Sequence, residues 1–119
     1  MKSIFYKPAW ELVSLIRKKE ISPLELIRTT LERIDMVNHD LNAFVDLCPE
    51  KALSEARNIT EMISAGKDIG PLAGIPLGVK DLENVAGMVT SYGSIPFKDN
   101  MALEDSIQVA RLKQAGAIV

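Results

Sequence analysis

The spacing of apolar residues along the chain is helical first and strand-like later. From Trp10 to Lys19, Leu12, Leu15 and Ile16 recur at helical spacing, and Arg17, Lys18 and Lys19 put cations in the last turn, where they suit the helix dipole. A second helix is announced by "SPLE". Ser22 can cap it, Pro23 takes the first helical position, and Glu25 follows the cap by three residues. Leu24, Ile27, Leu31 and Ile34 then share one face to about Val37, and the polar run Asn38, His39, Asp40 predicts the end of the helix. In "LNAFVDL", Leu41, Ala43, Val45 and Leu47 alternate with the period of a short strand. Pro49 opens a third helix that turns Ala52, Leu53, Ala56, Ile59 and Ile63 inward and stops at Gly66.

Past Gly66 the composition changes. Gly66, Gly70, Gly74 and Gly78 fall in one stretch with Pro71 and Pro76, a pattern suited to close backbone approach. "GIPLGVKDL" then places Ile75, Leu77 and Val79 on one face of a strand ending at Lys80. "VTSYGS" reads as a polar loop, and Asp105 and Ser106 can cap a last helix, Ile107 to Ala115, with Gly116 as its stop. The closing "AIV" begins a strand, so this helix reads as a crossover to a parallel neighbour of the Lys80 strand, an α/β arrangement. Two regions are expected: 1–66, helical, and 67–119, the truncated start of an α/β core. The sequence reads as the front part of a larger unit.

Composition narrows the function classes. The 119 residues are 47% hydrophobic and 25% charged, with 14 basic and 16 acidic side chains for a formal charge of −2. That is a globular composition with no basic surplus for nucleic acid. "MKSIFYKPAWELV" breaks any leader-like apolar core with Lys7, Pro8 and Glu11, and no run of about 18 apolar residues occurs, so a soluble, cytoplasmic chain is expected. The single cysteine, Cys48, excludes an internal disulfide and a multi-cysteine metal site. There is no G-x-G-x-x-G and no G-K-[ST] to support nucleotide binding.

Lys80 is the residue whose placement asks for a reason. A lysine at a strand end can simply mark where the strand meets solvent, with Asp81 in the turn. Alternation also puts Lys80 on the face of Pro76 and Gly78, whose small or flat side chains leave room for an approach to the amine. Ligand sites in α/β sheets lie at the carboxyl ends of strands. There a lysine can act as a general base or form a Schiff base. The pattern does not choose among these. His39, between Asn38 and Asp40, reads as a solvated spacer, and Cys48 before Pro49 as a small half-buried side chain. Trp10 and Phe44 are expected in the core or a subunit contact.

"GPLAGIPLGVKDL" followed by "TSYGS" resembles the amidase signature family, hydrolases and amidotransferases that use a serine, a second serine preceded by a cis peptide, and a lysine. "ISPLELIRTTLERIDMVNHDLNAFV" resembles the family's N-terminal helices and first strand, and "DSIQVARLKQAGAIV" the helix and strand after its T-x-G-S segment. The resemblance implies that the chain is an N-terminal portion of the family's helix-sandwiched mixed sheet and that Lys80 is its catalytic lysine. It implies a small non-peptide amide as substrate, no metal or organic cofactor, no direct nucleic-acid or membrane contact, and a homo-oligomer or complementing chain as possible partner. Ser91 stands where the family often has a second threonine, and Asp81 is expected to hold the turn through backbone hydrogen bonds. The family's Gly/Ser-rich segment, which carries both serines, has no counterpart here, so the 119 residues alone are expected to be inactive. The same motifs fit an A-type subunit of an aminoacyl-tRNA amidotransferase, and the helices from Trp10 to Ile63 would also suit a non-catalytic interaction module.

Overall fold

The computed structural model describes residues 4–119; Met1–Ser3, which open the stretch weighed as a leader, lie outside it. Among the described residues there are four α-helices: α1 Ala9–Arg17, α2 Pro23–Leu41, α3 Pro49–Ser64 and α4 Ile107–Gln114. None is long and apolar enough to cross a membrane.

The helix boundaries follow from their caps. The Ser22 hydroxyl accepts the Glu25 N–H at 3.1 Å while the Glu25 carboxylate accepts the Ser22 N–H at 2.8 Å, closing the capping box foreseen in "SPLE". Glu25 is held below the usual carboxylate range by those bonds, first from the Ser22 backbone and then from its hydroxyl. At the other end, α2 runs through the polar triplet expected to break it. Asn38, His39 and Asp40 are indifferent helix formers rather than breakers. The stop is Asn42, left-handed at φ 49°, whose N–H bonds the Asn38 carbonyl at 2.7 Å. Helix α1 ends two residues before Lys19 because Lys19 itself takes φ 59°, with Lys19 N–H on Ile16 O and Glu20 N–H on Leu15 O. That is a Schellman closure built on lysine instead of glycine. Gly66 and Gly116 close α3 and α4 by the same pair of bonds.

Helix α2 is buried on two sides, which a single apolar stripe did not suggest. Ile27 packs with Ala52, Ala56 and Ile118, and Leu24, Leu31, Leu53 and Ile59 border that cluster. Leu26, outside the expected stripe, joins Leu12 and Ile16 of α1, with Ile63 and Ile75 beside them. Ala52 and Ala56 are 5% and 0% exposed, so small side chains line the part of α3 that meets α2. The Thr60 hydroxyl accepts the Leu24 N–H at 3.3 Å, satisfying a donor in the first turn of α2 that the helix cannot satisfy itself.

Two strand expectations come out differently. Residues 74–80 do meet the chain end in parallel, but the pairing is one bridge, Pro76 with Ile118. It is held by Ile118 N–H on Ile75 O at 2.9 Å and Leu77 N–H on Ile118 O at 2.7 Å, and Gly74 N–H reaches Gly116 O at 2.9 Å. The "LNAFVDL" strand is absent. Leu41 belongs to α2, residues 42–48 are irregular, and Val45 is 75% exposed. A strand needs a neighbouring backbone, and this stretch has a side chain instead. The Asn38 amide accepts the Phe44 N–H and donates to the Phe44 carbonyl, both at 2.9 Å. A radius of gyration of 14.9 Å exceeds the value of about 13.5 Å expected for a closed domain of this length, in keeping with an open side.

Candidate active site

The open side is a cleft of about 600 Å³, within the size range of small-molecule sites. Its apolar wall comes from Ile27, Leu31 and Ile34 of α2, facing Leu77, Val79, Val85 and Met88, with Phe44 and Leu47 from the 42–48 segment. Asp46, Lys80, Asp81, Glu83 and Thr90 bring polar groups to it. The strand pattern delivers Lys80 as read. The segment is anchored at Ile75 and Leu77 by the Ile118 bonds, and Lys80 stands just beyond, exposed and on the cleft. Gly78 lies under the Phe44 ring, where a Cβ would come within 3.4 Å of Cε1, so the room left by the small residues of that face is partly taken by an aromatic edge.

The turn after Lys80 is fixed on both sides of it. The Lys80 carbonyl accepts the N–H groups of Leu82 at 2.7 Å and Glu83 at 3.0 Å. Asp81 does hold this turn, though through a partner ten residues away. One carboxylate oxygen accepts the Ser91 N–H at 2.7 Å and the other the Ser91 hydroxyl. The Ser91 hydroxyl, its backbone N–H and the Gly93 N–H, in that order, hold the Asp81 carboxyl below its ordinary range. Ser91 Oγ in turn accepts the Gly93 N–H at 3.2 Å, and the Tyr92 hydroxyl reaches Asn84 at 3.2 Å, joining the 91–94 turn to the Lys80 turn. Among the described residues no hydrogen bond or ion pair engages the Lys80 amine. The Asp81–Ser91 pairing had no signal in one sequence, because nothing local couples positions ten apart in a loop.

The remaining candidates separate from this site. His39 is exposed and 3.2 Å from Asp40, as a solvated spacer would be. Cys48 is half-buried, its sulfur 3.5 Å from Met88 Sδ, and burial pushes its thiol pKa up, away from nucleophilic character. Trp10, expected in the core or a contact, is 74% exposed on the described chain. No cluster of three or more metal-ligating side chains occurs among the described residues.

A family model described as Amidase matches residues 25–119, which include α2 from Glu25 onward and the Lys80 segment. The chain belongs to the amidase family. It is 36% identical over 115 residues to the A-type subunit of the glutamyl-tRNA(Gln) amidotransferase of Carboxydothermus hydrogenoformans, covering 97% of this chain and 24% of that protein. With the acylamidase of Rhodococcus erythropolis it shares 32% over 117 residues, 98% of this chain and 24% of the relative. Among solved structures, a bacterial aryl acylamidase of the amidase signature family superposes with a TM-score of 0.89 at 28% identity, over 95% of this chain and 24% of that one. The peptide amidase from Stenotrophomonas maltophilia gives 0.88 at 33%, over 96% and 24%. This amidase-family chain thus spans about a quarter of the length of the relatives it matches. The resemblance read from "GIPLGVKDL" is borne out at the level of the family.

Proposed function

We propose that this chain supplies the general-base lysine of a carbon–nitrogen hydrolase, and that Lys80 is that residue. What supports the reading is the position of Lys80: at the carboxyl end of the 74–80 segment, on the cleft, with its amine unpaired among the described residues. In the mechanism, the unprotonated amine takes a proton from the bridging serine, which takes one from the nucleophilic serine. The nucleophile attacks the carbonyl of a small amide, backbone N–H groups hold the oxyanion, and the amine leaves with a proton returned along the same path. Water then releases the acyl group. The two serines belong to the family's Gly/Ser-rich segment, which the 119 residues do not contain, so this polypeptide alone is inactive.

In the same reading, residues 74–80 and 117–119 are neighbouring parallel strands of a larger mixed sheet, and region 1–66 covers one of its faces. Region 67–119 begins the core, and the cleft faces the remainder of the sheet. The site takes a small amide with no metal or organic cofactor, in the cytoplasm, without direct contact to nucleic acid or membrane. A second reading, an A-type subunit of an aminoacyl-tRNA amidotransferase, is favoured by the 36% identity to such a protein and leaves the role of Lys80 unchanged.

The test is a chimera in which this chain replaces the matching quarter of the Rhodococcus acylamidase. Lys80→Ala should lower kcat by at least about 10²–10⁴, the usual share of a general base and more when it works as part of one catalytic unit. A Lys80→Ala chimera within tenfold of the parent chimera would overturn the role. Turnover of simple amides by the 119 residues alone, abolished by Lys80→Ala, would overturn the need for the serines.

A further inference from the structure

The chain contains the dipeptide Lys-Asp three times among its loops, at Lys67, Lys80 and Lys98, and the copies at Lys80 and Lys98 behave differently. At Lys98-Asp99, on the surface, the ammonium and the carboxylate are 3.9 Å apart and form an ion pair. At Lys80-Asp81 no such pair forms. The Asp81 carboxylate is engaged elsewhere, one oxygen on the Ser91 N–H and the other on the Ser91 hydroxyl. An anion beside a lysine stabilises the ammonium and so opposes its use as a base. A loose aspartate next to Lys80 would do that.

We propose that Asp81 and Ser91 are positioning residues, a clasp that fixes Lys80 at the strand end and keeps the adjoining carboxylate from pairing with its amine. This rests on the general-base reading of Lys80. Two bonds from one residue hold both carboxylate oxygens, so the group is turned as well as occupied. The Ser91 hydroxyl is held in turn as acceptor of the Gly93 N–H, and Ser94 N–H bonds Ser91 O at 2.9 Å, so the clasp sits on a closed turn. Next to Ser91, Thr90 is 1% exposed and exchanges bonds with Asn100, its N–H on Asn100 O and its carbonyl accepting the Asn100 amide, both at 2.9 Å. The far jaw is therefore anchored in a buried residue. The other titratable groups on the same cleft are Asp46 and Cys48 from the 42–48 segment and Glu83 from the turn, while α2 contributes none. Of the carboxylates, Asp46 is tied to the Leu47 and Val89 N–H groups at 3.0 and 3.3 Å. Asp81 is the one adjoining Lys80 in the chain.

Competitive acylation of the 119-residue chain with acetic anhydride, read at Lys80 by peptide mass spectrometry from pH 7 to 10, measures the free amine directly. Ser91→Ala should slow Lys80 labelling at neutral pH by about twofold to fivefold, the range an exposed ion pair commands, with Lys98 as internal control. Ser91→Thr should restore the parent rate, and adding Asp81→Asn to Ser91→Ala should abolish the slowing. In the Rhodococcus chimera, Ser91→Ala should move the acid limb of kcat/KM to higher pH and recover at alkaline pH, a shift that general loosening of the loop would not produce. Circular dichroism separates the effect from unfolding, and if Ser91→Ala unfolds, the comparison of Ser91→Thr with Ser91→Val decides in its place. Equal Lys80 labelling in the parent and Ser91→Ala chains, or an unshifted limb, would overturn the clasp while Lys80→Ala still reports on the base. A Lys80→Ala chimera that keeps its activity would remove the base reading, whatever Ser91 does.

Discussion

Replacing Gly116 by alanine should be among the most costly single-methyl additions in this chain, because two penalties meet there. Gly116 has φ 100°, a conformation that side chains other than hydrogen rarely adopt. Leaving the right-handed region costs an L-residue roughly 1–2 kcal/mol. The added Cβ would also stand 2.6 Å from Ile69 O, 2.8 Å from Ala73 Cα and 2.9 Å from Ala73 N. All three are backbone atoms and cannot rotate away, so overpacking adds about 1–3 kcal/mol. The sum is about 2–5 kcal/mol, a large share of the total of about 5–15 kcal/mol typical of a folded domain. Gly87 is the control. Its φ is 80°, but no atom lies within 4 Å of the Cβ position, so Gly87→Ala carries only the backbone penalty. Urea unfolding followed by circular dichroism should lower the Gly116→Ala midpoint by about 1–3 M, with a slope of roughly 1–3 kcal/mol per molar. Gly87→Ala should lose clearly less. Equal losses in the two variants, or a Gly116→Ala midpoint unchanged from the parent, would refute the argument from close approach.

Three further outcomes follow from named contacts. Ser22→Ala removes the hydroxyl that accepts the Glu25 N–H at the start of α2 and should cost about 1 kcal/mol by thermal unfolding, while Ser22→Gly should cost only a few tenths. Asp105 accepts Lys113 at 2.9 Å through both oxygens and the Ala86 N–H at 2.8 Å, and the Lys113 ammonium holds its carboxyl below the ordinary range. Its contribution is therefore complete above the ordinary carboxylate pKa of about 3.9 and is lost as pH falls through the lower folded value. Asp105→Asn should be less stable than the parent at pH 7, with the gap narrowing in urea titrations below about pH 4. The apolar cleft should bind a hydrophobic dye and draw chains together on concentration; a dye-silent monomer at every concentration in sedimentation would contradict it.

What could be read in advance was local. "SPLE", Pro49 and Gly66 each act within one helical turn, so capping chemistry alone specified those boundaries. Residues 42–48 failed for the opposite reason. Their alternation is real, but a strand exists only where another backbone meets it, and Asn38 fills that place with a side-chain amide. Leu26 was missed because the periodic stripe assumes one buried face, whereas α1 and α3 cover α2 from two sides. At the site, alternation did place Lys80 at a segment end on an open face. The partner of Asp81 stayed hidden, since the loop from Leu82 to Thr90 that brings Ser91 back carries no period.

The anchors of Lys80 all come later in the chain than Lys80 itself. Asp81 waits for Ser91, and Ile75 and Leu77 wait for Ile118. During synthesis from the amino end, α1, α2 and α3 can pack against one another as soon as they emerge. The lysine cannot be held in place until roughly forty more residues have been added. At about 5–20 residues per second, that is an interval of roughly two to eight seconds. A nascent chain therefore carries a folded helical part and an unplaced lysine side by side, and codons that slow translation between Asp81 and Ile118 would prolong the exposure of the cleft.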